Sequence, residues 1–240
     1  NAAVTNCVFA GPADGESVLK EARDIALENC SFSLRYPLWH VKGFTMEHSA
    51  MDDKTRAAIW YAENGVITNS VLSGIKAVRE CAGIQLSNCQ IVSQEFGWKS
   101  RDITLTDSEI SAEYLFLDSK NVKLDRVKMQ GKYSFQYIKN AVFENCSFET
   151  KDAFWHGENI TVRNSVIKGE YLAWYSNGLT LENCKIIGTQ PFCYCTNLKL
   201  INCEMIDCDL AFEKSEVEAS ITTPVISIKN KLSGTICVPA

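Results

Sequence analysis

The chain has 240 residues, 46% of them apolar and 22% charged, with a net charge of −5. That suits one globular domain with a sizeable core, and the acidic balance supplies no basic field for phosphate backbones, which excludes nucleic acid as a partner. No apolar run reaches the roughly 18 residues a membrane span needs, so no transmembrane helix and no membrane partner is expected.

The start, Asn1-Ala2-Ala3-Val4, is patterned as a strand and carries no basic then apolar leader. A cytoplasmic location is therefore expected ahead of secretion, although a trimmed leader would give the same start. Residues 1–22 are read as an N-terminal coil and cap. From there one phrase recurs: apolar, any, apolar, any, Asn or Asp, small, any, apolar. It runs from Ile25 to Phe32 and returns at 84–91, 103–110, 141–148 and 179–186. Taking the Asn position as the marker gives Asn6, Asn29, Glu47, Asn69, Asn88, Asp107, Asp125, Asn145, Asn164, Asn183 and Asn202, with spacings of 18 to 23 residues, half of them 19.

A period of that length without a helical leg predicts an all-β, right-handed parallel β-helix of about eleven coils, each of three short strands, filling 1–240 as a single domain. Apolar residues alternate before the marker and resume three residues after it, as two strands hinged at the Asn require. Asn tolerates the left-handed backbone of such a hinge, and its amide reaches the next coil, which predicts an asparagine ladder. The following residue is Cys or Ser in most coils, with His48 and Arg126 as exceptions. The eleven cysteines are accordingly read as reduced thiols in stacked bends. The glycosylation-like triplets at Asn29 and Asn145 fall inside the ladder and are taken as chance. Cys193, Cys195, Cys203 and Cys208 lack C-x-x-C spacing, and His40, His48 and His156 are scattered, so no metal site and no cofactor is expected.

A third strand is expected eight to twelve residues before each marker, for example Ala57–Tyr61, Glu95–Lys99, Glu113–Leu117 and Asp152–His156. Period-two alternation turns Trp60, Arg79, Trp98, Phe116, Phe135, Trp155 and Trp174 inward, with Arg79 sandwiched between Trp60 and Trp98. The same alternation leaves a mixed strip on the outer face. One of its columns holds Arg35, Lys76, Glu95, Glu113, Lys132 and Asp152, and the other holds Trp39, Tyr61, Glu80, Lys99, Gln136, His156, Tyr175 and Tyr194. Ile59, Val78, Leu115, Phe154 and Phe192 lie between them. Strips of this kind bind something.

One reading of the strip is plain cross-strand pairing of Lys76 with Glu95, Glu80 with Lys99 and Glu113 with Lys132. The other is catalytic: Glu95 and Glu113, about 5 Å apart by coil pitch, share a proton or flank a glycosidic bond, with Lys99, Lys132 or His156 assisting. Trp39, Tyr61, Glu80, Asp152, Tyr175 and Tyr194 would then contact substrate. The chain ends in a segment, 209–240, expected to cap the stack.

The Asn-Cys turns, with Tyr-Pro-Leu-Trp at 36–39, Ala-Ile-Trp-Tyr at 58–61, Asp-Ala-Phe-Trp at 152–155 and Gly-Glu-Tyr-Leu-Ala-Trp at 169–174, resemble a family of uncharacterised bacterial proteins with a pectin-lyase-like β-helix. The likeness extends to Leu-Ala-Phe-Glu at 210–213 and Ser-Gly-Thr-Ile at 233–236. It implies the fold and transfers no functional residues. By fold analogy the strip is the place for a polysaccharide. The expected function is carbohydrate binding or processing there, as a polysaccharide lyase or glycoside hydrolase if an enzyme. The alternative is a non-catalytic scaffold that binds a protein partner or forms a homo-oligomer.

Overall fold

A computed structural model describes residues 2–11 and 17–239; positions 12–16 of the expected N-terminal cap lie outside the described residues. The chain is an all-β parallel solenoid of about 12 turns, with no helix among the described residues. Strands that lead to the bend, such as Arg23–Glu28, Lys42–Glu47 and Glu63–Thr68, stack in register as the first sheet. Their inward residues form continuous files. One file runs Ile84, Ile103, Val122, Ala141, Ile160, Leu179. Shorter strands beyond the bend, such as Ser31–Ser33 and Gln90–Val92, form the second sheet around Phe32, Met51, Leu72, Ile91, Ile110, Met129, Phe148 and Ile167. Both files are buried. Each side chain removed from water there contributes roughly 1.5–3 kcal/mol before the entropy cost of ordering it, so every coil adds its own share of stability. Glu216–Ile221 and Ser233–Cys237, within the expected C-terminal cap, continue the first sheet.

The bend between the sheets sits at residues with left-handed backbone. These are Asn6, Asn29, His48, Asn69, Asn88, Asp107, Arg126, Asn145, Asn164, Asn183 and Asn202, with φ between 48° and 56°. Two markers are thereby corrected, because the bend falls at His48 rather than Glu47 and at Arg126 rather than Asp125. An acidic residue one step early resembles Asn in sequence, but only the residue with positive φ makes the turn. With these markers the spacing is 19 from Asn69 to Asn202, and the bend file stretches only in its first coils.

Glu47 and Asp125 still serve the spine. Asn69 Nδ2 donates to Glu47 Oε1 at 3.2 Å, and Asn145 Nδ2 to Asp125 Oδ1 at 2.8 Å. Arg126 replaces the amide by gripping both oxygens of Asp107 at 2.6 and 2.9 Å. Asn88 donates to Asn69, Asn183 to Asn164 and Asn202 to Asn183. The small residue after the bend is thus Ser49, not His48, and Val127 is the one large member of the file. The serine hydroxyl accepts from the backbone of the preceding coil, as Ser49 does from Cys30 N at 3.0 Å, and donates to the carbonyl two residues back, here Glu47 O at 2.8 Å. A cysteine thiol makes the same backward donation, as Cys30 does to Glu28 O. All eleven cysteines are free.

The third leg departs most from expectation. Among the described residues only Ile59–Trp60 and Val78–Arg79 pair as strands, with a single bridge from Arg79 to Trp98; elsewhere the leg is a series of turns. From coil to coil it alternates left-handed residues, as in Tyr133, Phe135 and Tyr137 (φ 57°, 61° and 57°). Side-chain alternation holds only for extended backbone, so the expected faces hold for some residues and fail for others: Phe116 and Phe135 are inward and Tyr61, Glu80, Lys99, His156, Tyr175 and Tyr194 lie on the outer flank, as expected. The inward file is Leu38, Ile59, Val78, Phe116, Phe135, Phe154, Phe192 and Phe212, all buried. Ile59, Val78, Leu115, Phe154 and Phe192, expected outside, are in the core. Trp60, Trp98, Trp155 and Trp174, expected in the core, are half-buried on the outer flank.

Candidate functional site

The outer flank of the third leg has two files, one residue apart in the chain. The lower holds Trp39, Trp60, Arg79, Trp98, Leu117, Gln136, Trp155 and Trp174. The outermost holds His40, Tyr61, Glu80, Lys99, Asp118, Tyr137, His156, Tyr175 and Tyr194.

In the N-terminal half the flank is an interlocked aromatic and charged cluster. Trp39 stacks on Trp60 at 6.2 Å. The Arg79 guanidinium lies between indoles, 5.3 Å from Trp60 and 5.7 Å from Trp98, as the sequence predicted, but on the flank rather than in the core. Arg79 Nε also meets Glu80 Oε1 at 3.0 Å, so the expected Glu80–Lys99 pair is replaced by a neighbour in the chain. Burial pushes the Glu80 carboxyl up, but hydrogen bonds from Arg79 and Tyr61 outweigh this and hold it below the usual carboxylate range. Lys20 covers Trp39 at 4.7 Å and Lys76 covers Trp98 at 5.5 Å. The indole N–H of Trp39 is buried without a partner.

The C-terminal half is built differently. Tyr137, His156, Tyr175 and Tyr194 stack one coil apart, with ring centroids 4.9, 5.1 and 4.8 Å apart and planes within 9° of parallel. Beneath them Trp155 stacks on Trp174 at 5.3 Å and 3°. The two indoles are anchored, Trp155 Nε1 donating to Tyr171 O at 2.7 Å and Trp174 Nε1 to Gln190 O at 2.9 Å. Three of the outermost rings reach into solvent, with Tyr137 48% and Tyr175 47% exposed and His156 exposed, whereas Tyr194 is half-buried and meets Trp174 edge-on at 5.8 Å. Because the faces cover one another, water meets the ring edges, which carry phenol hydroxyls and imidazole nitrogens. All four residues have left-handed backbone, with φ from 54° to 61°. That conformation costs a bulky residue on the order of 1–3 kcal/mol, and Asn or Gly would hold it more cheaply.

The remaining candidates are dispersed. Glu95 shares its file with Tyr114, Tyr133, Asp152 and Tyr171, whereas Glu113 and Lys132 stand one position earlier, so the two acids are not column neighbours. Each carboxylate is held by a lysine: Glu95 by Lys76 at 2.9 Å and Glu113 by Lys132 at 3.1 Å, both pairs as the sequence predicted. The backbones of Glu95 and Glu113 are joined by an N–H to O bond of 2.8 Å. Lys99 is exposed in the outermost file two coils before Tyr137. Asp152 is buried, and that burial pushes its carboxyl up; Lys151 lowers it by less. On the second sheet two adjoining depressions of about 450 and 530 Å³ share Val92, Ser111 and Gln130, and Glu113 lines the second.

A second bend file went unread in the sequence. Asp24, Gly43, Asn64, Gly83, Asp102, Asn121, Asn140, Asn159, Gly178 and Asn197 all have positive φ and start the first-sheet turn. Their recurrence at 19 residues, with one step of 21, was the available signal. Asn121 donates to Asp102 at 2.8 Å, and the Asp24 carboxylate fills the space over Gly43, where a Cβ would come within 2.6 Å of it. The file fixes the start of each first-sheet strand, just past the ring ladder in the chain.

The signature of a family described as a protein of unknown function, DUF3737, matches residues 1–240. The chain belongs to that family. No curated protein matches the chain in sequence. Among solved structures it is similar to PfbA, a surface adhesin of Streptococcus pneumoniae, at 9% identity and a TM-score of 0.44 over 88% of this chain and 79% of that one. It is similar to endo-xylogalacturonan hydrolase from Aspergillus tubingensis at 9% identity and a TM-score of 0.38, covering 97% and 91%. A tailspike protein of E. coli bacteriophage HK620 matches at 7% identity and a TM-score of 0.40, covering 94% and 59%.

Proposed function

We propose that the C-terminal half of this flank binds an oligo- or polysaccharide and does not cleave it. The observation that carries the reading is the ladder Tyr137, His156, Tyr175 and Tyr194: four rings kept outside the core on strained backbone, with their polar edges toward water. Aromatic strips with polar edges suit ligands that are part apolar and rich in hydroxyls. Cleavage needs an acid and a base facing one bond. The expected pair, Glu95 and Glu113, is instead divided between two lysines, and His156 is stacked between two tyrosines.

A glycan array followed by calorimetry tests this, with Tyr175→Asn as the variant because Asn accepts the same backbone. Binding is expected in the wild type and loss in the variant, with reducing-sugar and unsaturated-uronate assays silent. Product formation abolished by Glu95→Gln or Glu113→Gln would overturn the non-catalytic reading. Silence on every glycan, with a concentration-dependent dimer, would favour the scaffold instead.

A further inference from the structure

Resting on the glycan-binding reading, we infer that the ligand is a neutral, extended polysaccharide that runs along the stack, one sugar residue to a coil, across Tyr137, His156, Tyr175 and Tyr194. The ladder offers nearly the same edge four times, at steps of 4.8 to 5.1 Å. A ligand that puts one residue on each step must advance by that distance per residue. An extended peptide does not: a strand advances roughly 3.3 Å per residue and a polyproline helix about 3.1 Å. A pyranose in an extended β-1,4 chain advances by close to one coil, and although alternate rings are turned over, hydroxyls stand on both edges and reach every step. Phenol hydroxyls donate and accept, and the imidazole adds a donor and an acceptor, so each step can bond to sugar hydroxyls.

Charge selects the neutral class. Cations beside the ladder are already committed: Lys139 to Glu158 at 2.9 Å, Lys151 to Glu170 at 3.0 Å and Lys229 to Glu213 at 3.4 Å. Asp118 precedes Tyr137 in the file, and the Glu213 carboxylate is close enough to Tyr194 to push its phenol pKa up. Glu213 is itself paired with Lys229, and Lys214 follows Tyr194 in the file, so the charges at that end are balanced. A chain of uronates or sulfates would bring a charge to every coil, where Tyr137, His156, Tyr175 and Tyr194 include no lysine or arginine to meet it, and would begin beside Asp118. Unpaired like charges cost binding, while neutral hydroxyls pay no such penalty.

Calorimetry on the full chain with cello-oligosaccharides from di- to hexasaccharide, malto-oligosaccharides and oligogalacturonates separates the cases. Cello-oligosaccharide affinity should rise about tenfold or more from the disaccharide to the tetrasaccharide and then level off, because the ladder has four steps. The curved malto series and the charged galacturonate series should bind at least about tenfold more weakly at equal length. Affinity that does not depend on length, or tighter binding of the galacturonates, would overturn the inference. If galacturonates or another glycan class bind best and Tyr175→Asn abolishes that binding, the glycan-binding reading stands and this one falls. If no oligosaccharide binds, both fall.

Discussion

The two halves of the third-leg flank place rings in equivalent files of the same coil and put them to different use. Around Trp39, Trp60 and Trp98 every ring is covered by another ring, a guanidinium or an ammonium, and Arg79 in turn is fixed by Glu80. That half is filled. Around Tyr175 the indoles are likewise tied down by backbone carbonyls, but the outermost rings end in water. Aromatic area on the outside of a solenoid is therefore not one feature. Where charges are interleaved it completes the packing, and where the stack is bare it leaves a surface to be occupied.

The sharpest separation lies between inside and outside. Phe135→Ala should cost about 3–5 kcal/mol in urea unfolding, since it empties a core position touching Phe116, Phe143 and Phe154. Tyr137→Asn, two residues away, should lower stability by less than about 0.5 kcal/mol, because relief of the left-handed backbone offsets the lost stacking. A comparable cost at both sites would mean that the ladder is core by another name. Next in size is Tyr175→Asn, which should weaken glycan binding by about tenfold or more, about 1.4 kcal/mol, without lowering Tm. Arg79→Gln tests the other half: a loss of about 1–2 kcal/mol is expected from its two indole contacts, with glycan binding unchanged, and any loss of binding would extend the surface into the N-terminal half.

The smallest effect concerns Asp152. Burial raises its folded pKa above the ordinary carboxylate value, so folding holds the proton more tightly than the unfolded chain does. Below the unfolded pKa both states are protonated and no charge penalty exists; as pH rises through the folded pKa the buried carboxylate must ionise and stability falls. Asp152→Asn should therefore raise Tm by on the order of 1–2 °C at neutral pH and not at pH values below the unfolded pKa. An equal gain at both would show that burial of the charge is not the cause.

Much of the fold was legible because two of the three legs obey the alternation of extended chain. Leu27, Leu86 and Leu105 lie on one face with the bend two residues on, and the sequence says so. The errors have local causes. Glu47 and Asp125 imitate Asn by chemistry, whereas His48 and Arg126 are the residues whose backbone angle makes the turn. The following residue held the clue, since Ser49 fits the small file and His48 does not. The Asp, Asn and Gly file from Asp24 to Asn197 was as regular as the one that was read, and was hidden only by the polar residues around it. In the third leg alternation fails in principle. Each left-handed residue re-aims the next side chain, so Phe135 faces in and Tyr137 faces out by rules no periodicity of two can express. The ladder is thus a product of backbone conformation: the sequence aligns His156, Tyr175 and Tyr194 in one outer column but puts Gln136 there in place of Tyr137.

The most direct measurement compares the wild type with a Tyr137→Asn, Tyr175→Asn, Tyr194→Asn variant by calorimetry against cellotetraose, alongside thermal unfolding of both. Binding lost at an unchanged Tm is the predicted result. Binding kept at full strength by the variant, or a collapse of Tm when the rings are removed, would contradict the claim that the ladder is a surface held open for a ligand.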